Sequence, residues 1–372
     1  MIVAHFLQDF ETLKAFSLTC RSWYVVVAPH IHRAFVLGRR KDLYRARGGL
    51  VRLSELHELN LIPFTRDLQV RRWGWPGGWF GPQAFTPNGL LHFSAFTNVQ
   101  VLKIQGMDIG RFFPGIERYF HQFSPTLRSL SLEDPACRSP QQLSYFLSLF
   151  PNLDDIDIRG SYPSEAPIPD TQPVPFSAPS LQGRLTLHSF TMFQTWAHLI
   201  ELCGGLRFRY MALYNVGECT PTLLDACSET LETLRFYESD RIDNPSLTLN
   251  LSRLKALRSL EVVNLTGRIW EPITHCNVIK RVFPTIKSPV FSEFVIVFLW
   301  NQRNDLLLAS ALFETLRTLH RVRPFKLVFL FQGWYSPSRD EHGVFEEMIE
   351  SMTAKGFLGF LDSPPTIRGE PL

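Results

Sequence analysis

No Cys-x-x-Cys pair occurs among the six cysteines, at positions 20, 137, 203, 219, 227 and 276, so neither a zinc knuckle nor a redox dithiol is suggested. No secretion signal opens the chain: the first apolar run, Met1 to Leu7, meets Gln8, Asp9 and Glu11 too soon for a signal-peptide core. The thiols are therefore expected reduced and mostly buried, in an intracellular compartment, cytoplasmic and/or nuclear. No apolar run reaches the roughly 20 residues of a spanning helix. Phe294 to Trp300 is strand-sized, and no membrane partner is expected. No charge of one sign dominates: a net +3 against 38 basic residues leaves no electrostatic footprint for nucleic acid. No glycine-rich phosphate loop appears either, because Gly77-Gly78 lacks a trailing Lys-Ser/Thr.

Apolar and aromatic residues are plentiful, at 45% and 13%, against 20% charged, which is a foldable composition. A single core usually stops growing near 250–300 residues. A chain of 372 residues therefore holds several domains or an elongated stack whose units touch only their neighbours.

Internal repetition favours the stack. The pattern apolar-x-x-apolar-x-apolar recurs at Val99–Ile104, Leu127–Leu132, Leu153–Ile158, Phe208–Leu213, Leu231–Phe236 and Leu257–Val262, and with a polar first position at Thr65–Val70. Weaker copies lie around Leu185–Leu187, Phe291–Ile296 and Phe325–Leu330. The spacing is roughly 23 to 34 residues, in or just beyond the leucine-rich-repeat range. Apolar residues two apart share one face of a strand. Helical segments are expected between the strands, at Gln141–Phe150 and Thr222–Glu229, with Pro140 and Pro221 at their starts. The strand-loop-helix unit recurs about ten times. Each unit alone cannot bury its apolar face, and stacking buries a continuous core. The asparagine that many such repeats place after the strand is missing (Trp73, Met107 and Ser161 stand there), so irregular loops are expected.

The outward strand positions form the expected concave wall. They include Arg71, Lys103, Asp155, Asp157, Arg159, Tyr210, Tyr214, Arg235 and Tyr237. Mixed charge with central Tyr and Arg suits an unknown protein substrate rather than a phosphate backbone.

The first 35 residues do not follow the repeat. Asp9 can cap a helix through Leu13, Phe16, Cys20 and Trp23, and a further apolar segment, Ile31 to Leu37, follows Pro29. Thr12-Leu-Lys-Ala-Phe-Ser-Leu-Thr-Cys-Arg-Ser-Trp23, with its flanking apolar segments, resembles the second half of an F-box. With the array behind it, the chain resembles the F-box/leucine-rich-repeat proteins of mushroom-forming fungi. The usual Leu-Pro start is absent, so the match is to an N-terminally truncated box. The resemblance implies a substrate receptor of an SCF-type ubiquitin ligase, docked to a Skp-type adaptor and its cullin complex. It places adaptor contacts at Ile2, Leu7, Leu13, Leu18, Cys20, Arg21 and Trp23.

Other clusters read as structural. Cys20 has no His or Asp at helical spacing and is expected to be a buried, inert thiol. His30 and His32 have no acidic or thiol neighbour to complete a metal site. Asp154, Asp155 and Asp157 are expected at or on a solvated strand face. The basic run Arg39–Arg47 fits a solvated helix face better than an import signal.

The expected fold is α/β: a leucine-rich-repeat solenoid, an open horseshoe of parallel strands with helices, preceded by a small α-helical F-box-like segment. Its parts are 1–35 (box), 36–62 (helical connector) and 63–372 (solenoid), with inserted loops at 73–89 and 161–180. No catalytic residue, metal or cofactor is expected. The alternatives are a repeat scaffold whose degenerate box binds no adaptor, and an enzyme embedded in the solenoid.

Overall fold

The computed structural model describes residues 10–37, 44–46, 49–51, 60, 62–71, 96–112, 115–137, 139–160, 162–163, 178–188, 200, 203, 205–214, 220–238, 249–264, 279–299, 306–332, 350, 353, 358–359, 361 and 366–370. The stretch at 73–89 and most of 161–180 lie outside them. Two compact units emerge: Met1–Gly183 with His198–Gly205, and Arg184–Ala197 with Leu206–Leu372.

The first described elements of the first unit are two helices, α1 (Phe10–Thr19) and α2 (Arg21–Ile31). The expected single helix is broken at Cys20, whose backbone is extended (φ −164°, ψ 162°). The hydroxyls of Ser17 and Thr19 donate to the carbonyls of Lys14 and Phe16 (2.6 and 2.7 Å). Such back-bonding competes with the backbone ladder and closes α1. Leu13, Val27 and Ile31 form the buried seam, with Phe16 packed against it. Pro29 sits inside α2 instead of ending it. Of the segment expected at 31–37, Ile31 finishes the helix and Ala34–Leu37 forms strand β1.

Of the helical connector expected at 36–62 only part is described, and there the residues at 44–46 and 49–51 are strands. Within 36–62, β2 (Tyr44–Ala46) and β3 (Gly49–Val51) form an antiparallel meander on β1. Beyond β1 the pairing is parallel, through β4 (Asp67–Val70), β5 (Val101–Gln105) and β6 (Ser129–Glu133). A short β7 (Ala136–Cys137) follows β6 in the chain; next come β8 (Asp155–Arg159), paired to β6, β9 (Tyr162–Pro163), paired to β7, and β10 (Leu181–Leu187), which follows β8 in the sheet. The expected alternation holds: Leu68, Val70, Leu102, Ile104, Leu130, Leu132, Ile156 and Ile158 are all buried. Short helices α3 (Ile109–Phe112), α4 (Glu117–Phe120) and α5 (Pro140–Ser148) lie between strands, and Pro140 opens α5 as expected.

The strand exits are regular, contrary to expectation. Gly106, Asp134 and Gly160 each follow a strand with φ of 69°, 53° and 68°. Their loops are tied by the Gly106 amide to the Glu133 carbonyl (2.7 Å), the Asp134 amide to Arg159 (2.6 Å) and the Ala136 amide to Met107 (2.7 Å). Left-handed turns supply the order that an asparagine ladder would have given. A side-chain ladder does exist at the strand entries. Asn98 donates to the Pro63 carbonyl (2.8 Å), Thr126 to Val99 (2.8 Å) and Asn152 to Pro125 (3.2 Å).

In the second unit β10 is followed in the sheet by β11 (Leu206–Leu213), β12 (Thr233–Glu238), β13 (Ser259–Asn264), β14 (Glu293–Leu299), β15 (Lys326–Gln332) and β16 (Thr366–Glu370). From β11 to β16 each neighbouring pair is parallel. Helices α6 (Thr220–Ala226) and α7 (Leu306–Val322) connect strands. The molecule is thus mixed α/β with open parallel sheet, compatible with stacked strand-loop-helix units.

Candidate functional site

Two surfaces carry the expected contacts. On the helix pair, Leu18 is 80% exposed, and Cys20 and Arg21 are exposed beside the break. Trp23 is half-buried and stacks on Phe16 (centroids 5.1 Å apart). Leu13 is buried in the seam, so it supports the helices and is unable to touch a partner. Ile2 and Leu7 lie outside the described residues. Sequence reasoning missed Val25 (65% exposed) and Val26 (49%). The signal was present: in the run Val25-Val26-Val27, the helical seam of 27, 28 and 31 takes only Val27.

The exposure of Cys20 corrects its expected burial, because the residue belongs to the extended link and not to a helix. Cys227 is buried as expected, whereas Cys137 and Cys203 are only partly buried. Burial pushes Cys137 and Cys203 up to about 11 and Cys227 up to about 12, with Asp108 adding to the shift at Cys137. Such thiols are neutral and unreactive at pH 7.

The second surface is the polar face of the first unit's sheet. Parallel register lines up three rows: Asp67, Val101, Ser129 and Asp155; then Gln69, Lys103, Ser131 and Asp157; then Gln105, Glu133 and Arg159. Ser129 donates to Asp155 (3.0 Å), while Ser131 and the Arg159 Nε both donate to Asp157 (3.1 Å each). Arg33 pairs with Asp67 and Arg128 with Asp154, each at 3.3 Å. Arg71 reaches Gln69 at 3.5 Å, which is at most a weak contact. The expected residues Arg71, Lys103, Asp155, Asp157 and Arg159 are thereby brought onto one face. Between them lies a recess of about 150 Å³, lined by Gln69, Lys103, Gln105, Ser131, Glu133 and Arg159. Small-molecule sites run to about 300–1,000 Å³. The recess is sized for one side chain.

The second unit departs from expectation. Arg235 is 5% exposed and bonds Glu261 through Nε at 2.5 Å, so it is not part of an open wall. Tyr210 lies under the Arg184 guanidinium (4.3 Å), with Arg235 at 5.7 Å. Tyr214 stacks on His188 (3.6 Å) and packs on a buried cluster of Val263, Val295, Val297, Val328 and Leu330. The side chain of Tyr237 is outside the described residues. Leu260, Val262, Phe294, Ile296, Leu327 and Phe329 alternate with that cluster and are buried on the opposite face. These strands are covered on both sides. The signal was the unbroken apolar runs 294–299 and 327–331, which mark strands without a solvated face.

His32 ends α2 with its Nδ1 buried and unbonded, and burial lowers its pKa. Among the described residues, no three or more of His, Cys, Asp and Glu converge to hold a metal. No described helix is long and apolar enough to cross a membrane. No protein-family model matches the chain, and no curated protein matches it.

Proposed function

We propose that the chain is a non-catalytic substrate receptor of an SCF-type ubiquitin ligase: an F-box-like helix pair docks a Skp-type adaptor, and a leucine-rich-repeat solenoid holds a protein substrate. One observation carries the reading. Of five exposed large apolar side chains among the described residues, three (Leu18, Val25 and Val26) fall on α1 and α2. Single exposed apolar residues need no explanation, but concentration on one small element marks an interaction site. The helix pair has its own seam, so these side chains are surplus to its folding. Arg21 adds a charged anchor of a type common in interfaces. For the substrate, the polar face of the first unit offers a solvated surface, whereas the opposite number in the second unit is covered.

The test is co-purification of the full chain with recombinant Skp-type adaptor, alongside the double variant Leu18→Asp/Arg21→Glu. Retention by the natural chain and loss by the variant, at unchanged melting temperature, supports the receptor. Failure of both chains to retain adaptor replaces it with a repeat scaffold whose helix pair serves another contact.

A further inference from the structure

We propose that the recess across β4, β5, β6 and β8 selects an acidic side chain of the bound protein. This rests on the reading of that face as the partner surface, and it names the chemistry the partner must carry.

The aspartates of the face are already engaged. Asp67 is paired with Arg33, Asp155 accepts from Ser129, and Asp157 accepts from both Ser131 and Arg159. Lys103 is exposed and bonds no carboxylate among the described residues. Arg159 spends its Nε on Asp157 and remains 55% exposed, which leaves the rest of its donor fork to the recess. Two amides, Gln69 and Gln105, line the same hollow. Against these donors stands one acid, Glu133, directly opposite Arg159 across β6 and β8 and diagonal to Lys103 across β5 and β6. The lining of the hollow therefore carries two cations, Lys103 and Arg159, against the one acid Glu133, although Arg159 is already paired with Asp157 beside it and the face as a whole is mixed in sign. The hollow's volume of about 150 Å³ admits a carboxylate-bearing side chain and excludes a cofactor-sized guest. Glu133 adds a rule of orientation: a second acid beside the first is repelled, and a donor there is welcomed.

The contact is solvent-exposed, so it confers selectivity more than affinity. It is also screened: at about 1 M salt the screening length falls to about 3 Å.

The test is selection of a random dodecapeptide phage library on the immobilised full chain, repeated on Lys103→Glu and on Arg321→Glu, a charge reversal on α7 in the other unit. The natural chain is expected to enrich Asp or Glu at one fixed position about fivefold, the ratio that one exposed charge contact supports. Arg321→Glu keeps that preference, and Lys103→Glu inverts it to Lys or Arg. Raising salt to 1 M erases it. Three results overturn the inference: no acidic enrichment, basic enrichment by the natural chain, or acidic enrichment that Lys103→Glu leaves intact. A matched melting temperature for Lys103→Glu keeps misfolding from imitating any of them. The selection contains no adaptor. Loss of adaptor retention with acid selection intact ends the ligase reading alone, and the converse ends only this inference.

Discussion

Removing Glu261 takes the paired carboxylate from a buried cation. Arg235 and Glu261 stand opposite one another on β12 and β13, with side chains 6% and 14% exposed and a contact of 2.5 Å. Their row continues with Ala212 on one side and Val295 and Val328 on the other, so no neighbour in it offers a replacement acceptor. Breaking a buried pair by deleting one partner typically costs 3–5 kcal/mol, since the survivor keeps its desolvation penalty. The Tyr210 ring, 5.7 Å from the guanidinium, remains as a weak π partner. Glu261→Leu is therefore placed at the low end, about 3 kcal/mol. In a unit of this size that lowers the melting temperature by about 6 to 12 °C. The double variant Arg235→Met/Glu261→Leu leaves no charge behind and should melt within about 1 kcal/mol of the natural chain. Scanning calorimetry reads both, and the cycle with Arg235→Met isolates the coupling. If Glu261→Leu alone melts with the natural chain, Arg235 keeps its compensation without Glu261 and the reasoning is refuted.

Gly183 has φ +80°, and an added Cβ would fall 1.9 Å from the Asp154 carbonyl oxygen. Because that neighbour is backbone, Gly183→Ala should destabilise the first unit by at least the roughly 1–2 kcal/mol of left-handed strain, measured by urea unfolding. His32 is held below its ordinary pKa by burial, so the unfolded chain binds its proton first. Its contribution is complete above about pH 6.5 and declines as pH falls below that value, by at most about 1.4 kcal/mol per pH unit. His32→Gln should flatten the decline in a pH series of melting temperatures. Under brief alkylation at pH 8 with peptide mapping, Cys20 should label while Cys137, Cys203 and Cys227 stay protected. Equal labelling of Cys227 would show that its burial is lost in solution.

The strand pattern was readable because period-two burial writes itself directly into residue type, as at Leu130/Leu132 and Ile156/Ile158. The break at Cys20 was not readable from periodicity. Leu13, Phe16, Cys20 and Trp23 keep helical spacing across it, and Phe16 and Trp23 still stack. What ends the helix is the back-bonding of Ser17 and Thr19, and hydroxyl direction is not a sequence property. The outward face was legible in the first unit and misread in the second. There the charge of Arg235 suggests solvent, while the valines beyond it record burial. The ladder lies at the strand entry, not after the strand where an asparagine would be expected. Asn98, Thr126, Asn152 and Thr230 all stand just before the first apolar residue, and each donates to an earlier carbonyl.

That ladder has a direction. At Pro63, Val99 and Pro125 the acceptor comes from the strand-loop-helix unit already made, and the donor arrives 27 to 35 residues later. A growing chain leaving the ribosome can therefore finish one turn of the stack and present the next with a ready carbonyl. Assembly in order of synthesis needs no long-range search. The same polarity singles out the nascent edge: until the following Asn or Thr emerges, that carbonyl must be served by water. A chain halted between Val99 and Thr126 would carry its exposed seam at its newest end.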